Sequence, residues 1–315
     1  MHLLCTRQWK ENEDDIMDTS HVIRRFGKNG RGKGNFKNPC GVAVTKTGDI
    51  AVADTENHRI QVFTENGTFK HKFGSKGSKI NQVNYPMCIV VTEDDHLAIT
   101  DSVNACVKIF TVDGQIIQVL GGSTIFDIPY GIAITTDGYF VVTDICKHCV
   151  VVMDTDGNKS HSFGEYGSKP REFDHPYFVA VDQNNQIIVS DSGNSSIKIF
   201  TFRGKVLRNF TQNEFKLIGE TFLNLQGVCL DTDGNILVVC NNIIYILAKN
   251  GRLWEVSSPA DQLSSPKCIT YSSAGRLIIT QNDVDKNAKH EVCILHYVKE
   301  DFASLSSTQF YAISV

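Results

Sequence analysis

Residues 39–73 read PCGVAVTKTGDIAVADTENHRIQVFTENGTFKHKF. Val42-Ala43-Val44 is a short apolar run and Ile50-Ala51-Val52-Ala53 is another, while Ile60-Gln61-Val62-Phe63 and Phe69-Lys70-His71-Lys72-Phe73 alternate apolar with polar. Four runs of strand length, separated by turn-forming Gly, Asn and Asp, predict one antiparallel meander. The first run is apolar on both faces and the last is half polar. That gradient is expected when the first strand lies at a crowded centre and the fourth faces water.

The same pattern returns along the chain. Pro39, Pro86, Pro129, Pro176, Leu225 and Pro266 are spaced by 47, 43, 47, 49 and 41 residues. Nine residues after each anchor stand Gly48, Asp95, Gly138, Asn185, Gly234 and Gly275, all types that accept the left-handed backbone of a tight hairpin. Fifteen residues after each stand Asp54, Asp101, Asp144, Asp191, Cys240 and Gln281. No stretch carries apolar residues at the helical period over ten positions, so a helical solenoid is excluded. Five complete copies and one incomplete copy predict an all-β, six-bladed β-propeller.

The incomplete copy is the last. Its missing fourth strand is expected from the other end of the chain, because His21-Val22-Ile23-Arg24-Arg25-Phe26-Gly27 is similar to Thr68-Phe69-Lys70-His71-Lys72-Phe73-Gly74. Phe26 to Pro39, Phe73 to Pro86 and Phe163 to Pro176 are each 13 residues. An N-terminal strand completing the last blade removes the two edges that a linear array exposes. Gln309-Phe310-Tyr311-Ala312-Ile313 is the other segment able to pair there. The expected organisation is a disordered N-terminal segment at 1–20, the propeller at 21–298 and a C-terminal tail at 299–315.

Composition narrows the class. The 315 residues are 41% hydrophobic, with 31 Lys+Arg against 35 Asp+Glu and a net charge of −4, which argues against an overall basic nucleic-acid binder and against DNA as a partner. No apolar run is long enough to cross a membrane, and Arg7, Lys10, Glu11, Glu13, Asp14 and Asp15 stand where a signal peptide needs an apolar stretch. Ten scattered cysteines, several in apolar runs, fit buried thiols of a reducing compartment. A cytoplasmic protein without a membrane partner is expected.

Asp54-Thr55-Glu56-Asn57-His58-Arg59-Ile60-Gln61-Val62-Phe63 resembles an NHL repeat, and Asp191 to Phe200 is similar, with Ser195 and Ser196 in the middle. The resemblance runs from residue 21 to about residue 298. Later copies drift: Asp101-Ser102-Val103-Asn104-Ala105-Cys106 keeps only the Asn, and blades five and six lose the Asp. Within that family the chain looks most like the propeller of tripartite-motif (TRIM) NHL proteins. The resemblance implies recruitment of protein or RNA partners, and in many members an N-terminal RING ubiquitin-ligase domain. Residues 1–20 contain one cysteine, so they cannot form a zinc-binding RING.

In such a meander the fourth-to-first (d–a) and second-to-third (b–c) loops share one face, and the a–b and c–d turns share the other. Residues 27–38 contribute +4 and residues 74–85 +2; the d–a/b–c face sums to +2 and the opposite face to −6. That gradient can steer an anionic partner. The residues after each anchor, Cys40, Met87, Tyr130, Tyr177, Gln226 and Lys267, are expected around the channel mouth of the same face. Candidate binding residues are Lys28, Arg31, Lys33, Arg59, Lys76, Asn104, Tyr130, Lys147, His148, Tyr177, Asn194 and Lys267. Stacking rings beside amide and cationic donors suit single-stranded RNA, and Tyr and Arg equally anchor protein interfaces.

Catalytic and metal chemistry are weaker readings. The four in-register Asp residues end a strand before a loop rich in N–H groups, where capping is expected. Cys146-Lys147-His148-Cys149 is a lone CxxC without a second pair at zinc spacing. His58 and His148 occupy equivalent loops, which leaves a metal-dependent, lyase-like enzyme as the least favoured alternative. The leading expectation is a non-catalytic scaffold for protein partners without cofactor or metal. It would act as the target-recruiting module of a ubiquitin-ligase-type TRIM-NHL protein, and an RNA-binding propeller is the alternative.

Overall fold

A computed structural model describes residues 20–211, 224–247, 253–282 and 289–297. The expected terminal segments, apart from Ser20, lie outside the described residues, as does the alternative pairing of Gln309 to Ile313. No helix among the described residues is long and apolar enough to cross a membrane.

Each of the six anchors opens an innermost strand. The first strand among the described residues is β1 (Val22–Phe26). Blade one then comprises β2 (Pro39–Val44), β3 (Ile50–Asp54), β4 (Arg59–Phe63) and β5 (Phe69–Phe73). Blade two comprises β6 (Pro86–Val91), β7 (Leu97–Asp101), β8 (Cys106–Phe110) and β9 (Ile116–Gly121). Blade three is β10 (Pro129–Ile134), β11 (Phe140–Asp144), β12 (Cys149–Met153) and β13 (Lys159–Phe163). Blade four is β14 (Pro176–Val181), β15 (Ile187–Asp191), β16 (Ser196–Phe200) and β17 (Val206–Phe210). Blade five is β18 (Leu225–Leu230), β19 (Ile236–Cys240), β20 (Ile243–Leu247) and β21 (Leu253–Glu255). Blade six joins β22 (Pro266–Ser272), β23 (Arg276–Asn282) and β24 (His290–His296) to β1, which is its fourth strand.

Local chemistry accounts for this regularity. Proline lacks an N–H, so it suits the first position of a strand. Every anchor pairs with the residue fifteen positions on, from Pro39 opposite Asp54 to Pro266 opposite Gln281. The residues nine positions after the anchors all have positive φ, between 56° at Asn185 and 88° at Gly48, as a tight hairpin requires. Strand burial follows the polarity gradient: β3 is buried throughout, and β5 alternates half-buried with exposed.

The ring is closed. β2 packs against β6 and so on round to β22, which returns to β2. Thr100 and Thr143 donate their hydroxyls to the carbonyls of Tyr130 and Tyr177 in the next blade, each at 2.7 Å, and Thr280 donates to the Cys40 carbonyl across the last seam. A second seam contact recurs outside. A Cβ added at Gly114 would stand 2.5 Å from the Phe73 ring, at Gly204 2.4 Å from Phe163, and at Gly67 2.4 Å from Phe26. The aromatic ring ending one blade thus lies on the c–d turn of the next, and Phe26 of β1 does this at the closing seam.

Polar groups hold the start of β1. Asp261, buried in a short 3-10 helix at Pro259–Asp261, accepts from the Ser20 hydroxyl at 3.0 Å and the His21 amide at 2.6 Å. Its second oxygen meets His21 Nδ1 at 2.9 Å and the Ser258 amide at 2.8 Å. Arg25 adds an ion pair to Glu291 at 2.7 Å.

Candidate interaction face

The repeated Asp residues cap the d–a loop of their own blade. Asp54 accepts from the Lys37 amide, Asp101 from Asn84, Asp144 from Asp127 and Asp191 from Asp174, each at 2.7 Å. In blade six, Gln281 accepts from the Ser264 amide at 2.6 Å. An amide oxygen does the same work there, so the positions need an acceptor and not a charge. Burial raises the Asp54 and Asp191 carboxyls above the ordinary carboxylate range, against hydrogen bonds and cations that pull the other way.

Buried cations lock the same loops from beneath. Lys108 and Lys198 lie 3.0 and 2.7 Å from Asp101 and Asp191 and donate to the carbonyls of Lys79 and Lys169, each at 3.1 Å. In blade one this work is divided. Arg59 Nε pairs with Asp54 at 2.6 Å while its other nitrogens donate to the carbonyls of Arg31, Gly32 and Asn35; Gln61 also reaches Asn35 and Asp54. Arg59 is therefore buried and committed internally, not presented to a ligand.

Four more candidates have internal roles. Asn104 and Asn194 donate to the carbonyls of Gly77 and Gly167, at 2.9 and 2.7 Å, and Asn57 does likewise to Gly30. Lys147 takes that position in blade three and donates to the Ile125 carbonyl at 2.8 Å. His148 is a staple between blades: the His175 amide donates to its Nδ1 at 3.2 Å, as the Tyr85 amide does to His58 and the Asn38 amide to His290. Burial, and then the charge of Lys76, hold His58 below the ordinary imidazole value.

Stacked rings narrow the channel mouth, and a cavity of about 320 Å³ is lined by all six innermost strands. Tyr130 is buried, stacks on half-buried Tyr177 with centroids 4.8 Å apart, and reaches Cys40 Sγ with its hydroxyl at 3.6 Å. Only Tyr177 keeps an accessible edge, and Lys267 stands half-buried beside them. Burial pushes the Cys40 thiol up to about 12, opposed by the Tyr130 hydroxyl and Lys267. In the CxxC, Cys146 is exposed while Cys149 is buried in β12 with its thiol raised to about 11.

His148, Asp174 and His175 come closest to a ligand set among the described residues. Asp174 Oδ1 lies 2.6 Å from His175 Nδ1 and 4.0 Å from His148 Nδ1. The Nδ1 lone pair of His148 already accepts the His175 amide, so a cation bound through that atom would break an inter-blade bond.

Lys28, Arg31, Lys33 and Lys76 remain exposed, joined by Lys79; none forms an ion pair among the described residues. Arg31 and Lys76 line one depression of about 330 Å³ with Glu56, Asn57, His58 and Arg59. Around them stand large apolar side chains missing from the sequence-derived set: Ile80, Tyr85 and Val103 on blade two, exposed by 63%, 39% and 57%. Tyr166 on blade four is 69% exposed and meets His148 edge-on. Comparing repeats position by position beyond the anchor and the Asp would have found them.

A family model for the NHL repeat matches residues 36–63 and 173–200. The chain is 59% identical over 46 residues to the B-box type zinc finger protein ncl-1 of Caenorhabditis elegans, which covers 15% of this chain and 5% of that protein. It is 54% identical over 46 residues to Protein brain tumor of Drosophila melanogaster, covering 15% and 4%. Tripartite motif-containing protein 2 of Homo sapiens is 40% identical over 72 residues, covering 22% and 9%. The matched stretches are thus a small part of each relative's length. Among solved structures, a streptogramin B lyase superposes with a TM-score of 0.61 at 16% identity, covering 88% of this chain and 87% of that one. A gluconolactonase from Xanthomonas campestris gives 0.60 at 17%, covering 82% and 85%. At such identities the likeness is one of fold alone. The chain is thus a six-bladed β-propeller that carries NHL repeats in blades one and four and is similar, over short stretches, to ncl-1, brain tumor and tripartite motif-containing protein 2.

Proposed function

We propose that this propeller is a non-catalytic scaffold that binds protein partners through its d–a/b–c face. One observation carries the reading: among the described residues, this face gathers cations without an ion pair and large apolar side chains with little cover. Rings and cations around the channel mouth offer anchors for a protein surface. Cross-linking of a captured partner tests it. Links should fall on Lys28, Lys33, Lys76, Lys79 and Lys267, whereas links to Lys46 and Lys205 on the opposite face would refute it.

Resemblance to the tripartite-motif relatives supports a narrower role, the presentation of targets for ubiquitin transfer. Ubiquitylation of a captured partner that fails when face lysines are changed to glutamate checks that role.

A second reading, single-stranded RNA, is favoured by Tyr166 standing exposed beside His148 on a face with unpaired cations. RNA affinity at two salt concentrations measures it: phosphate contacts make affinity fall steeply with salt. Lys76→Ala with Tyr166→Ala should then weaken binding, and no RNA affinity at low salt would eliminate this reading.

A further inference from the structure

The repeat supplies its own control for deciding which surface residues the fold requires. Seven residues after the phenylalanine that ends a blade stand Lys33, Ile80 and Pro170 in the loops opening blades one, two and four. Immediately before the anchors stand Asn38, Tyr85 and His175, and in the b–c loops Glu56, Val103 and Gly193 occupy matching places. Only blade two has a large apolar residue at all three. The loop geometry does not demand them, because the isolated bridges Asn29–Phe36, Lys76–Val83 and Tyr166–Phe173 show the same backbone in all three blades. The Val103 and Ser102 amides donate to the carbonyls of Asn84 and Tyr85, which brings two of these apolar residues side by side.

Charge departs in the same blade. In blade four, Glu172 pairs with Lys169 at 2.9 Å. In blade two the matching residues are Gln82 and Lys79, so a neutral amide stands where the counter-ion would be. Gln82 uses its side-chain oxygen on the Lys79 amide at 3.1 Å, and the ammonium has no carboxylate partner among the described residues. Lys76 and Arg31 face the neighbouring depression.

We infer that blades one and two form a two-part docking site for an acidic peptide segment carrying one bulky apolar side chain. The apolar side chain sits on Ile80, Tyr85 and Val103, and flanking carboxylates meet Lys76, Lys79 and Arg31. Apolar contact supplies lifetime and the cations supply encounter rate and register. This inference rests on the protein-recognition reading and names the partner's chemistry.

Panning a display library of random twelve-residue peptides against the folded propeller tests it. Enriched peptides should be acidic with an aromatic or branched aliphatic residue. Their affinity should fall about tenfold or more in Ile80→Ser/Val103→Ser, as loss of a buried apolar contact implies. It should also fall in Lys76→Glu/Lys79→Glu and stay unchanged in Tyr166→Ala. All these residues are exposed, and an unchanged thermal melt shows that the variants fold. Enriched peptides without acidic bias, or insensitive to Ile80→Ser/Val103→Ser, overturn the inference. Peptides dependent on Tyr166 overturn it while leaving protein recognition standing, and failure to enrich any peptide counts against both. A 20-nucleotide single-stranded RNA that loses affinity in Lys76→Glu/Lys79→Glu but not in Ile80→Ser/Val103→Ser, with no peptide enriched, would assign the cations to nucleic acid instead.

Discussion

At the scale of single residues, the same side-chain types serve opposite purposes according to depth. Arg59 at the start of β4 and Arg31 in the neighbouring d–a loop are both cationic, yet the first is buried against Asp54 and three carbonyls while the second is exposed. Arg59→Ala would leave the Asp54 carboxylate buried without its cation, and loss of one partner of such a pair costs about 3–5 kcal/mol. A urea titration should show that loss whatever the ligand. Weaker binding by Arg59→Ala would therefore not identify a contact. The role of Arg59 was not legible in the sequence because its acceptors are backbone carbonyls 24 to 28 residues upstream. Those carbonyls become neighbours only once the d–a loop folds over the b–c loop. The internal bonds of Asn104, Asn194 and Lys147 were hidden for the same reason.

At the scale of elements, what could be read was what recurs. Anchors, hairpin turns and the residue at fifteen fixed the first two strands of every blade, since their spacing never varies. The contacts between blades were hidden, because each joins two different repeat positions in neighbouring copies, as Thr100 does with Tyr130, and aligning the copies never brings those positions together. Gly204 reads as an ordinary turn glycine, but its φ is +78° and the Phe163 ring fills the place of a Cβ. Gly204→Ala therefore meets both a backbone penalty and a steric one. Overpacking of this kind costs about 1–3 kcal/mol. A thermal melt should show the decrease, whereas Gly275→Ala, with φ +71° and nothing near its Cβ, should show only the backbone part.

For the molecule as a whole, stability depends on how the ring is joined. Burial pushes the Asp261 carboxyl upward, but the His21 side chain, the Ser258 and His21 amides and the Ser20 hydroxyl outweigh it and hold the group below the usual carboxylate range. A depressed folded value contributes stability above the unfolded pKa of about 4, and that contribution is lost as pH falls through the folded value. Urea midpoints measured from about pH 6 down to about pH 3 should fall less steeply in Asp261→Asn than in the parent. Amide exchange in β1 should rise in that variant while β2 and β3 stay protected. An equal acid slope in the two proteins would contradict this account of the join.

The pairing of Val22 with Leu295 and Phe26 with Val292 also sets a schedule. On the ribosome, β1 emerges long before β24 exists, so it must wait without this partner through the synthesis of five blades. Pairing of such distant segments is intrinsically slow and leaves apolar edges exposed in the interval. Nascent chains stalled before β24 should therefore keep β1 open to protease while blades one to four already resist it.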